Sequence, residues 1–338
     1  MLREPFEIRG YSLANRIVAA PIASRSCELN GAPSEKTLDI YRRLADSGVG
    51  LAVAEHHAVH PWGRNRLAQL RLDSDQAAHS LIPLTQLFAE RNLPLLAQIN
   101  FAGNNIADES LLAQDDFRLL SASSIDKPDG NGARRPQELT PGEIEMIVES
   151  FVQAAVRAVR ISGYTGVQIH ACHGYLLGQF LSPLTNHRED AWGGSAKKRA
   201  RLLLTVFDAV RSSVPSKAVV TVRLGAADYM PDEPMRGLSV DEVLPVAREL
   251  TAMGVDGLFI SGNHCGFGGN REGDVAFFAP YARIIREGVR GATPVECTGG
   301  IQSARTANEL LRGGVCDLVG VGRSLVKNPN MVKDNFLN

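Results

Sequence analysis

Short runs of apolar and β-branched residues alternate with longer amphipathic patterns along nearly the whole of this 338-residue chain. Each run is continuously apolar, which is typical of parallel strands that are covered on both faces. The runs predict eight strands, which are RIVAAPI (16–22), GLAVAEH (50–56), PLLAQIN (94–100), GVQIHA (166–171), AVVTVRL (218–224), GLFISG (257–262), PVECTG (294–299) and DLVGVGR (317–323). Eight strands, most of them followed by a helical pattern, fit a closed (β/α)8 TIM barrel of the α/β class, and we expect one such domain over residues 1–338.

The segments between the predicted strands have recognisable helix ends. TPGE at 140–143 combines an N-cap threonine, a proline at the first helical position and a glutamate at the third, which together form a capping box. Apolar residues spaced from Ile144 to Val159 predict a helix with one buried face, and Gly163 suits a left-handed C-terminal cap. SVDE at 239–242 repeats the capping box. These signals place helices between the strands, as a (β/α)8 barrel requires.

A doubly wound open sheet is the alternative architecture for the same alternation. The first predicted strand is not followed by the G-x-G-x-x-G sequence of a dinucleotide-binding fold, which favours the barrel. Two connections, 101–139 and 263–276, are longer than most links between a strand and a helix. Because both follow the C-terminal ends of strands, we expect them to lie over the mouth where barrels have their active sites.

Composition and charge exclude several classes of function. The formal net charge of −1 argues against nucleic acid or an anionic membrane as a partner. No apolar run approaches the roughly 20 residues that cross a bilayer. The N-terminal sequence MLREPFEIRG lacks the apolar core of a signal peptide, so a cytoplasmic location is expected. The cysteines are scattered singly, without the C-x-x-C pairs of zinc or iron–sulfur sites, and they are Cys27, Cys172, Cys265, Cys297 and Cys316.

Polar residues occur at the C-terminal ends of several predicted strands. The interior layers of a barrel are aliphatic, so polar residues at these ends predict a catalytic or binding site. They are Glu55, His56, His57, Gln98, Asn100, His170, His173, Tyr175 and Arg223.

The last two predicted strands end in glycine-rich turns, CTGG (297–300) and GVGRS (320–324). Backbone N–H groups in such turns can hold a phosphate, and Arg323 can add a bidentate cation. Glycines that merely permit a tight turn are the alternative for either turn alone. Both turns together, where barrels bind phosphate, favour a phosphorylated ligand.

IHACHGYL at 169–176 places His170 and His173 three residues apart, with Tyr175 two residues later. Three interpretations are open: a structural pair, a metal site that takes a third histidine from the second strand, or two N–H donors to one substrate oxygen. In the last case Tyr175 has an obvious role as a proton donor. No nearby acidic pair completes a metal site, so we expect no metal.

Further segments carry a family resemblance. They are LANRIVAAPI (13–22), QINFAG (98–103), IHACHGYLLGQFLSPLTNHREDAWGGS (169–195), VRLGAADY (222–229), TGGI (298–301) and VGRSLVKNP (321–329). Together they resemble the old yellow enzyme family of NAD(P)H:flavin oxidoreductases, and the resemblance runs through essentially the whole chain. The segment at 169–195 is its most specific part. The resemblance implies a single-domain barrel with FMN lying across the C-terminal mouth of the strands.

The resemblance assigns residues to the flavin site position by position. Pro21, Ile22 and Ala23 should run beside the isoalloxazine ring, and Gln98 should bond its pyrimidine edge. Arg223 should lie near N1 and C2=O, where its cation favours the anionic reduced flavin. The complete cofactor-binding set, whose last five members should surround the phosphate, is Pro21, Ile22, Ala23, His56, Gln98, His170, Arg223, Thr298, Gly299, Gly300, Gly322 and Arg323.

The resemblance also implies an ene-reductase. His170 and His173 look like the pair that anchors a carbonyl or nitro oxygen, and Tyr175 looks like the proton donor to the α-carbon. NAD(P)H would reduce FMN, and a small activated alkene (enone, enal or nitroalkene) or carbonyl compound would then occupy the same face. A dehydrogenase or isomerase acting on a dedicated natural substrate, a metal-dependent barrel hydrolase and a binding-only flavoprotein are the alternatives. Assembly into a homo-oligomer stays open.

Two positions just after the first strand depart from the family pattern. Ala23 stands where one branch of the family has a redox-tuning cysteine, and Arg25 stands where that branch has an aromatic substrate contact. The shape and polarity of the substrate pocket are therefore not implied by the resemblance.

A second departure concerns the histidines after the second strand and one long connection. His56 and His57 either pack beneath the flavin ring or alter its potential and the choice of substrate. The connection 263–276 is expected to fold over the pocket as a lid, with His264 and Arg271 available to polar substrates.

Overall fold

The strands of the chain close into one barrel. The computed structural model describes residues 1–125, 134–266 and 273–337. Its strands are β1 Phe6–Ile8, β2 Tyr11–Leu13, β3 Ile17–Ala19, β4 Leu51–Ala58, β5 Leu95–Asn100, β6 Leu120–Ser121, β7 Gln137–Glu138, β8 Gly166–Ala171, β9 Val219–Gly225, β10 Gly257–Ser261, β11 Val295–Cys297 and β12 Leu318–Val321. Eight of them form a closed ring in the order β10-β11-β12-β3-β4-β5-β8-β9, and neighbouring strands of the ring are parallel. Closure confirms the predicted TIM barrel and excludes the open sheet.

Each barrel strand overlaps one of the predicted runs. Every residue of the eight strands is buried, which explains why the runs are mainly apolar and do not alternate between apolar and polar residues. Several predicted boundaries differ from the observed ones by one to three residues. At β4 the strand continues to Ala58, so Glu55, His56 and His57 all lie within it and do not follow it.

Helices connect the barrel strands. They are α1 Glu35–Ala45, α2 Asp75–Ser80, α3 Ile82–Ala89, α4 Pro141–Arg157, α5 Leu176–Leu181, α6 Ala196–Ser213, α7 Val240–Ala252, α8 Ala279–Gly288, α9 Ala304–Arg312 and α10 Arg323–Lys327. The predicted capping box begins α4, where the Thr140 N–H donates to Glu143 Oε2 at 2.8 Å. After α4 the chain continues as a short π-helix, Ala158–Ser162, and stops at Gly163 with φ 86°. Within the described residues, no helix has both the length and the apolar character needed to cross a membrane.

The N-terminal end of the barrel is closed by a hairpin that the sequence did not reveal. Strands β1 and β2 pair antiparallel, with Ile8 opposite Tyr11. Ile8 and Leu13 are buried in a cluster with residues that begin the barrel strands, among them Leu51, Leu96 and Val219. The hairpin seals this end with apolar side chains, which leaves the C-terminal end for the site.

The long connection after β5 is tied to the barrel by a buried arginine. Arg188 donates to the carbonyl oxygens of Ala122 at 3.1 Å and Leu139 at 2.8 Å. These bonds lie beside the parallel pair β6 and β7. Residues 126–133 of the predicted loop 101–139 lie outside the described residues, as do residues 267–272 of the predicted lid 263–276, including Arg271.

Candidate active site

A single cavity of about 770 Å³ collects the predicted site residues at the C-terminal ends of the strands. It contains every residue predicted for catalysis or cofactor binding, which are Pro21, Ile22, Ala23, His56, Gln98, His170, His173, Tyr175, Arg223, Thr298, Gly299, Gly300, Gly322 and Arg323. Both long connections also reach it, through Asn105 and Ala107 from the first and through Gly266 and Gly273 from the second.

The histidine pair is held in contact by the end of β8. His170 is in the strand, and His173 follows it with a left-handed backbone, φ 58°. This turn brings His170 Nε2 within 3.1 Å of His173 Nδ1, and His173 Nε2 lies 2.8 Å from Ser261 Oγ at the end of β10. His170 Nδ1 is buried and has no hydrogen-bond partner among the described residues, so it is available to bond a ligand.

Both imidazoles of the pair are uncharged near neutral pH. Burial, followed by the charges of neighbouring groups such as Arg223, lowers the pKa of His170 and of His173 well below the ordinary value. Each ring therefore carries one N–H and one lone pair. A neutral imidazole can donate a hydrogen bond to a substrate oxygen without becoming a proton source, and His170 Nδ1 is the nitrogen of the pair that has no partner among the described residues.

Tyr175 packs directly on the histidines at the N-terminus of α5. Its ring centroid lies 4.8 Å from that of His170 and 5.5 Å from that of His56. Burial raises the pKa of Tyr175 to about 12, although the charges of Arg66 and Arg25 act in the opposite direction. The phenol is therefore protonated at neutral pH and available as a proton donor.

The same turn contains one group of potential metal ligands. The ligand atoms of His170, Cys172 and His173 lie within 4.8 Å of one another. Burial raises the pKa of the Cys172 thiol to about 12, and the neighbouring Arg223 only partly offsets this. Binding of a divalent metal by all three groups would require loss of the Cys172 proton beside the Arg223 cation.

A β-bulge in β4 separates the two histidines that the sequence left undecided. The register with β5 shifts between Ala54 and His57, so the strand gains one residue there. His56 lines the cavity, and its Nδ1 lies 2.7 Å from Gln69 Nε2. His57 is fully buried elsewhere and its Nε2 lies 2.9 Å from the Tyr164 hydroxyl. Of the two, only His56 can touch a ligand in the cavity.

One wall of the cavity offers buried polar groups to a planar, electron-rich ligand. Arg223 on β9 is 6% exposed, and its Nε has no hydrogen-bond partner among the described residues. Gln98 on β5 donates through Nε2 to Gln168 Oε1 at 2.9 Å, which fixes its amide at the cavity wall. A buried guanidinium with an unsatisfied N–H fits the pyrimidine edge of a flavin ring, where negative charge gathers on reduction.

The glycine turns after β11 and β12 lie across the ring of strands from β5 and β8. Gly299 and Gly300 have left-handed backbones, φ 100° and 79°, and a Cβ on Gly300 would come within 2.8 Å of the Phe277 ring. The N–H groups of Gly300 and Gly322 donate to no acceptor within the described residues. Free N–H groups on a cavity wall that also includes Lys327 fit a phosphate.

Several lining residues were missed by sequence reasoning. Asn65 and Arg66 come from the connection after β4, and Lys327 ends α10. None of them directly follows a strand, so the strand-end rule could not find them. Sequence reasoning did single out Arg25, as a departure from the family pattern, and Arg25 also lines the cavity.

Comparisons with known proteins show to which family the chain is similar. The profile of the NADH:flavin oxidoreductase / NADH oxidase family matches residues 1–334. The chain is 33% identical over 334 residues to the NADPH dehydrogenase of Geobacillus sp. (strain WCH70), covering 97% of this chain and 92% of that protein. It is 32% identical over 330 residues to the NADPH dehydrogenase of Bacillus subtilis (strain 168), covering 96% and 91% respectively.

Solved structures share the fold at lower identity. A morphinone reductase mutant in complex with tetrahydroNAD has a TM-score of 0.80 at 24% identity, covering 98% of this chain and 89% of that one. The old yellow enzyme homologue from Zymomonas mobilis has a TM-score of 0.80 at 23% identity, covering 98% and 91%.

The metal-dependent hydrolase alternative is wrong, because the family profile that covers the chain is that of flavin oxidoreductases. The predicted resemblance is confirmed, and the chain belongs to the NADH:flavin oxidoreductase / NADH oxidase family of old yellow enzymes, whose members use FMN and NAD(P)H.

Proposed function

We propose that this flavin oxidoreductase uses NAD(P)H to reduce C=C bonds that are conjugated to a carbonyl or nitro group, as in enones, enals and nitroalkenes. The observation that carries the proposal is a series of ring contacts in a single cavity, in which His173 contacts His170 and His170 contacts Tyr175. The ring centroid of His170 lies 5.2 Å from that of His173 and 4.8 Å from that of Tyr175. Such a set binds an electron-withdrawing oxygen and supplies a proton within one site.

The unsatisfied polar groups of the cavity support the assignment of its two sides to FMN. Arg223 and Gln98 would bond the isoalloxazine ring, with Pro21 beside it, and the turns at Gly300 and Gly322 would hold the phosphate. When bound, FMN supplies hydride chemistry, accepting a hydride from NAD(P)H and delivering one to the alkene. The protein contributes position and electrostatics.

The histidine pair binds the substrate oxygen in this proposal. Negative charge develops on that oxygen as the β-carbon gains a hydride, and N–H donors fixed in a buried site stabilise it. Because both imidazoles are neutral, they stabilise the charge without giving up a proton. Ser261, at 2.8 Å from His173 Nε2, restricts the orientation of that ring.

Tyr175 completes the reduction by giving its hydroxyl proton to the α-carbon. The C=C π bond is consumed, the β-carbon has gained a hydride and the α-carbon a proton, so the product is the saturated compound. The phenolate that remains takes a proton from water. With its pKa raised to about 12, Tyr175 is in the donating form before each turnover.

Two substitutions test this division of roles in the FMN-loaded enzyme. Tyr175→Phe should slow alkene reduction about 10²- to 10⁴-fold, the usual contribution of a positioned general acid, and leave reduction by NAD(P)H nearly unchanged. His170→Ala should weaken the binding of a phenol, which places its oxygen at the same donors. Stopped-flow absorbance measures each half-reaction, and spectral titration measures phenol binding.

Matched controls exist away from the cavity. Tyr11→Phe removes a hydroxyl from β2 at the closed end of the barrel, and His79→Ala removes an exposed imidazole from α2. Neither control should change either half-reaction. Unchanged phenol binding in His170→Ala, or full alkene reduction in Tyr175→Phe, would show that the roles are assigned wrongly.

A further inference from the structure

The wall of the cavity carries an excess of positive charge. The described residues that line it include four arginines and one lysine but no aspartate or glutamate. The whole chain is nearly balanced, with 36 Lys and Arg against 37 Asp and Glu, so the excess is local. Arg223, Arg323 and Lys327 lie on the sides assigned to the flavin ring and its phosphate. Arg25 and Arg66 line the same cavity and have no part in that assignment.

Arg25 is held at the cavity by its neighbours in the chain. Its backbone is left-handed, φ 55°, a conformation that residues other than glycine rarely adopt. The N–H of Ser24 donates to Glu55 Oε2 at 3.1 Å, and Ser26 Oγ lies 2.9 Å from Thr37 Oγ1. Because the residues on both sides are fixed, this unfavourable backbone is imposed by the fold and directs an arginine to the cavity mouth.

Arg66 is held in a similar way from the connection after β4. The Asn65 N–H donates to Gln69 Oε1 at 2.7 Å, and the Leu67 N–H donates to Asp108 Oδ2 at 3.2 Å. Gln69 also lies 2.7 Å from His56 Nδ1, and His56 packs on Tyr175. Arg66 therefore follows a residue, Asn65, that two hydrogen bonds through Gln69 link to the ring of His56 beside Tyr175.

Neither arginine is ion-paired in the described part of the chain. No carboxylate of residues 1–125, 134–266 or 273–337 forms an ion pair with Arg25 or Arg66. The Arg66 guanidinium makes one hydrogen bond, from Nε to Asn65 Oδ1 at 3.3 Å. The positive charges of both arginines act on Tyr175, where they oppose the rise in pKa that burial causes. The fold therefore places two cations at the cavity, and neither forms an ion pair with a carboxylate of the described residues, although Glu55 and Asp108 lie close enough for Arg66 to lower their pKa.

We propose that Arg25 and Arg66 bind a carboxylate of the alkene substrate, one that is separate from the conjugated carbonyl. The inference rests on the proposed alkene reduction and narrows its substrate class to unsaturated oxo acids. The substrate spans the cavity with its ketone or aldehyde oxygen at His170 and His173, its alkene beside Tyr175 and its carboxylate at the two arginines. Guanidinium groups pair with carboxylates through two parallel hydrogen bonds, which gives direction as well as charge.

The phosphates of NAD(P)H are a second source of negative charge at this mouth. The position of the arginines favours the substrate, because both act on Tyr175, which must touch the reacting alkene. A role in reductant binding would instead appear in the half-reaction with NAD(P)H. The two sources are therefore separated by measuring the half-reactions individually.

The test compares one acid with its neutral ester in the FMN-loaded enzyme. The probe is a linear methyl enone whose alkene carries a saturated carboxylate tail, and its partner is the methyl ester of the same acid. Methylene groups insulate the alkene from the carboxylate, so both compounds are equally activated. The ratio of kcat/KM for acid over ester should exceed one in the wild type and fall roughly tenfold in Arg25→Ala/Arg66→Ala. Added salt should lower the wild-type ratio, because the contact is partly exposed.

Arg160→Ala is the matched control. Arg160 is exposed in the segment between α4 and β8, which leads into the N-terminal end of the barrel. It should leave the acid-to-ester ratio unchanged. Equal effects of this control and the double variant would mean that bulk charge sets the ratio, which contradicts the proposal.

Binding without turnover distinguishes failure of this inference from failure of the proposed activity. The saturated keto acid and its methyl ester are titrated against the enzyme, with calorimetry as the readout. Tighter binding of the acid, lost in the double variant, supports the arginine site even if the enone is not reduced. An enzyme that reduces enones but shows no acid preference overturns the inference alone. Slower reduction by NAD(P)H in the double variant, with an intact acid preference, assigns the arginines to the reductant and also overturns it.

Discussion

The two ends of this barrel are built from the same strands and differ in almost every physical respect. At the N-terminal end, β4 contributes Leu51 and β9 contributes Val219 to an apolar cluster that the hairpin covers. At the C-terminal end, the same two strands contribute His56 and Arg223 to an open cavity. A few residues along each strand separate a packed core from a polar site.

The difference shows that stability and chemistry are assigned to opposite ends. The closed end buries aliphatic and aromatic side chains, which favours folding. At the open end, Arg223 Nε and His170 Nδ1 are buried and have no hydrogen-bond partner among the described residues. Burial of such polar atoms opposes folding unless a ligand bonds to them. The cavity therefore depends on the rest of the barrel for its stability, and substitutions at the two ends should have separable effects.

The largest expected effect is on stability, at the closed end. Phe259 of β10 is 2% exposed within the apolar cluster. Phe259→Ala should lower the free energy of unfolding by about 3–5 kcal/mol, because it removes a buried ring and leaves a cavity. Urea denaturation measures the loss, and FMN affinity measured on the folded fraction should stay within about twofold of the wild type.

A surface substitution supplies the reference for that experiment. Val326 is 47% exposed, and Val326→Ala should change stability by less than about 0.5 kcal/mol. If Phe259→Ala were as mild as this control, or if it abolished FMN binding in folded protein, the two ends would not be independent.

The next effect concerns ligand binding at the open end. Arg223→Gln should weaken FMN binding about tenfold to a hundredfold, because a hydrogen bond to a charged group typically contributes about 1.5–3 kcal/mol. Titration of the FMN-free protein with FMN measures the change.

Arg16 offers a matched control near the closed end. Its guanidinium lies over the Phe6 ring at 4.9 Å and donates to the Asp317 carbonyl at 3.2 Å. Arg16→Gln should affect stability and leave FMN affinity unchanged. Equal FMN affinities in wild type and Arg223→Gln would remove the assignment of Arg223 to the flavin.

The smallest effect is the part of the pH dependence of stability that comes from the open half of β4. Burial lowers the pKa of His57 to about 4 and that of His56 to about 3, from an ordinary value of 6.5. Below pH 6.5 these two imidazoles bind protons in the unfolded chain that they exclude in the folded chain, so their contribution to stability falls as the pH is lowered towards these values. Each histidine contributes about 1.4 kcal/mol per pH unit in that window.

Substitution of one histidine tests the sign and the source of this dependence. His57→Gln should reduce the loss of stability between pH 6.5 and pH 5, measured by urea denaturation at both values. His79→Gln, on the exposed face of α2, should leave the loss as it is in the wild type. A steeper loss in His57→Gln would mean that the buried imidazole is protonated in the folded state.

The barrel was predictable because each of its strands has the same local sequence pattern, which can be read along the chain. A strand such as β8 is buried along its whole length, and a continuous apolar run reports that directly. The hairpin β1–β2 was not predictable, because each of its strands has three residues and only Ile8 and Leu13 of them are buried. Its role depends on where the barrel opening lies, which no local pattern encodes.

The site was predictable only where it follows the strand ends. His170, Arg223 and the glycine turns obey that rule, and all of them line the cavity. His57 breaks it, because the bulge in β4 turns its side chain away from the cavity. Arg66 was missed because it reaches the mouth from a connection whose path is set by contacts such as Asn65 with Gln69.

The central claim is that the open end of the barrel binds FMN and presents an alkene to His170, His173 and Tyr175. Its most direct test is anaerobic: the FMN-loaded protein is reduced with one equivalent of NADPH or NADH and then mixed with cyclohexenone while flavin absorbance is followed. The account predicts that the nicotinamide bleaches the flavin bands, that cyclohexenone restores them, and that cyclohexanone is formed in equal amount. Protein that takes up no FMN, or reduced protein whose absorbance does not return with cyclohexenone, would contradict it.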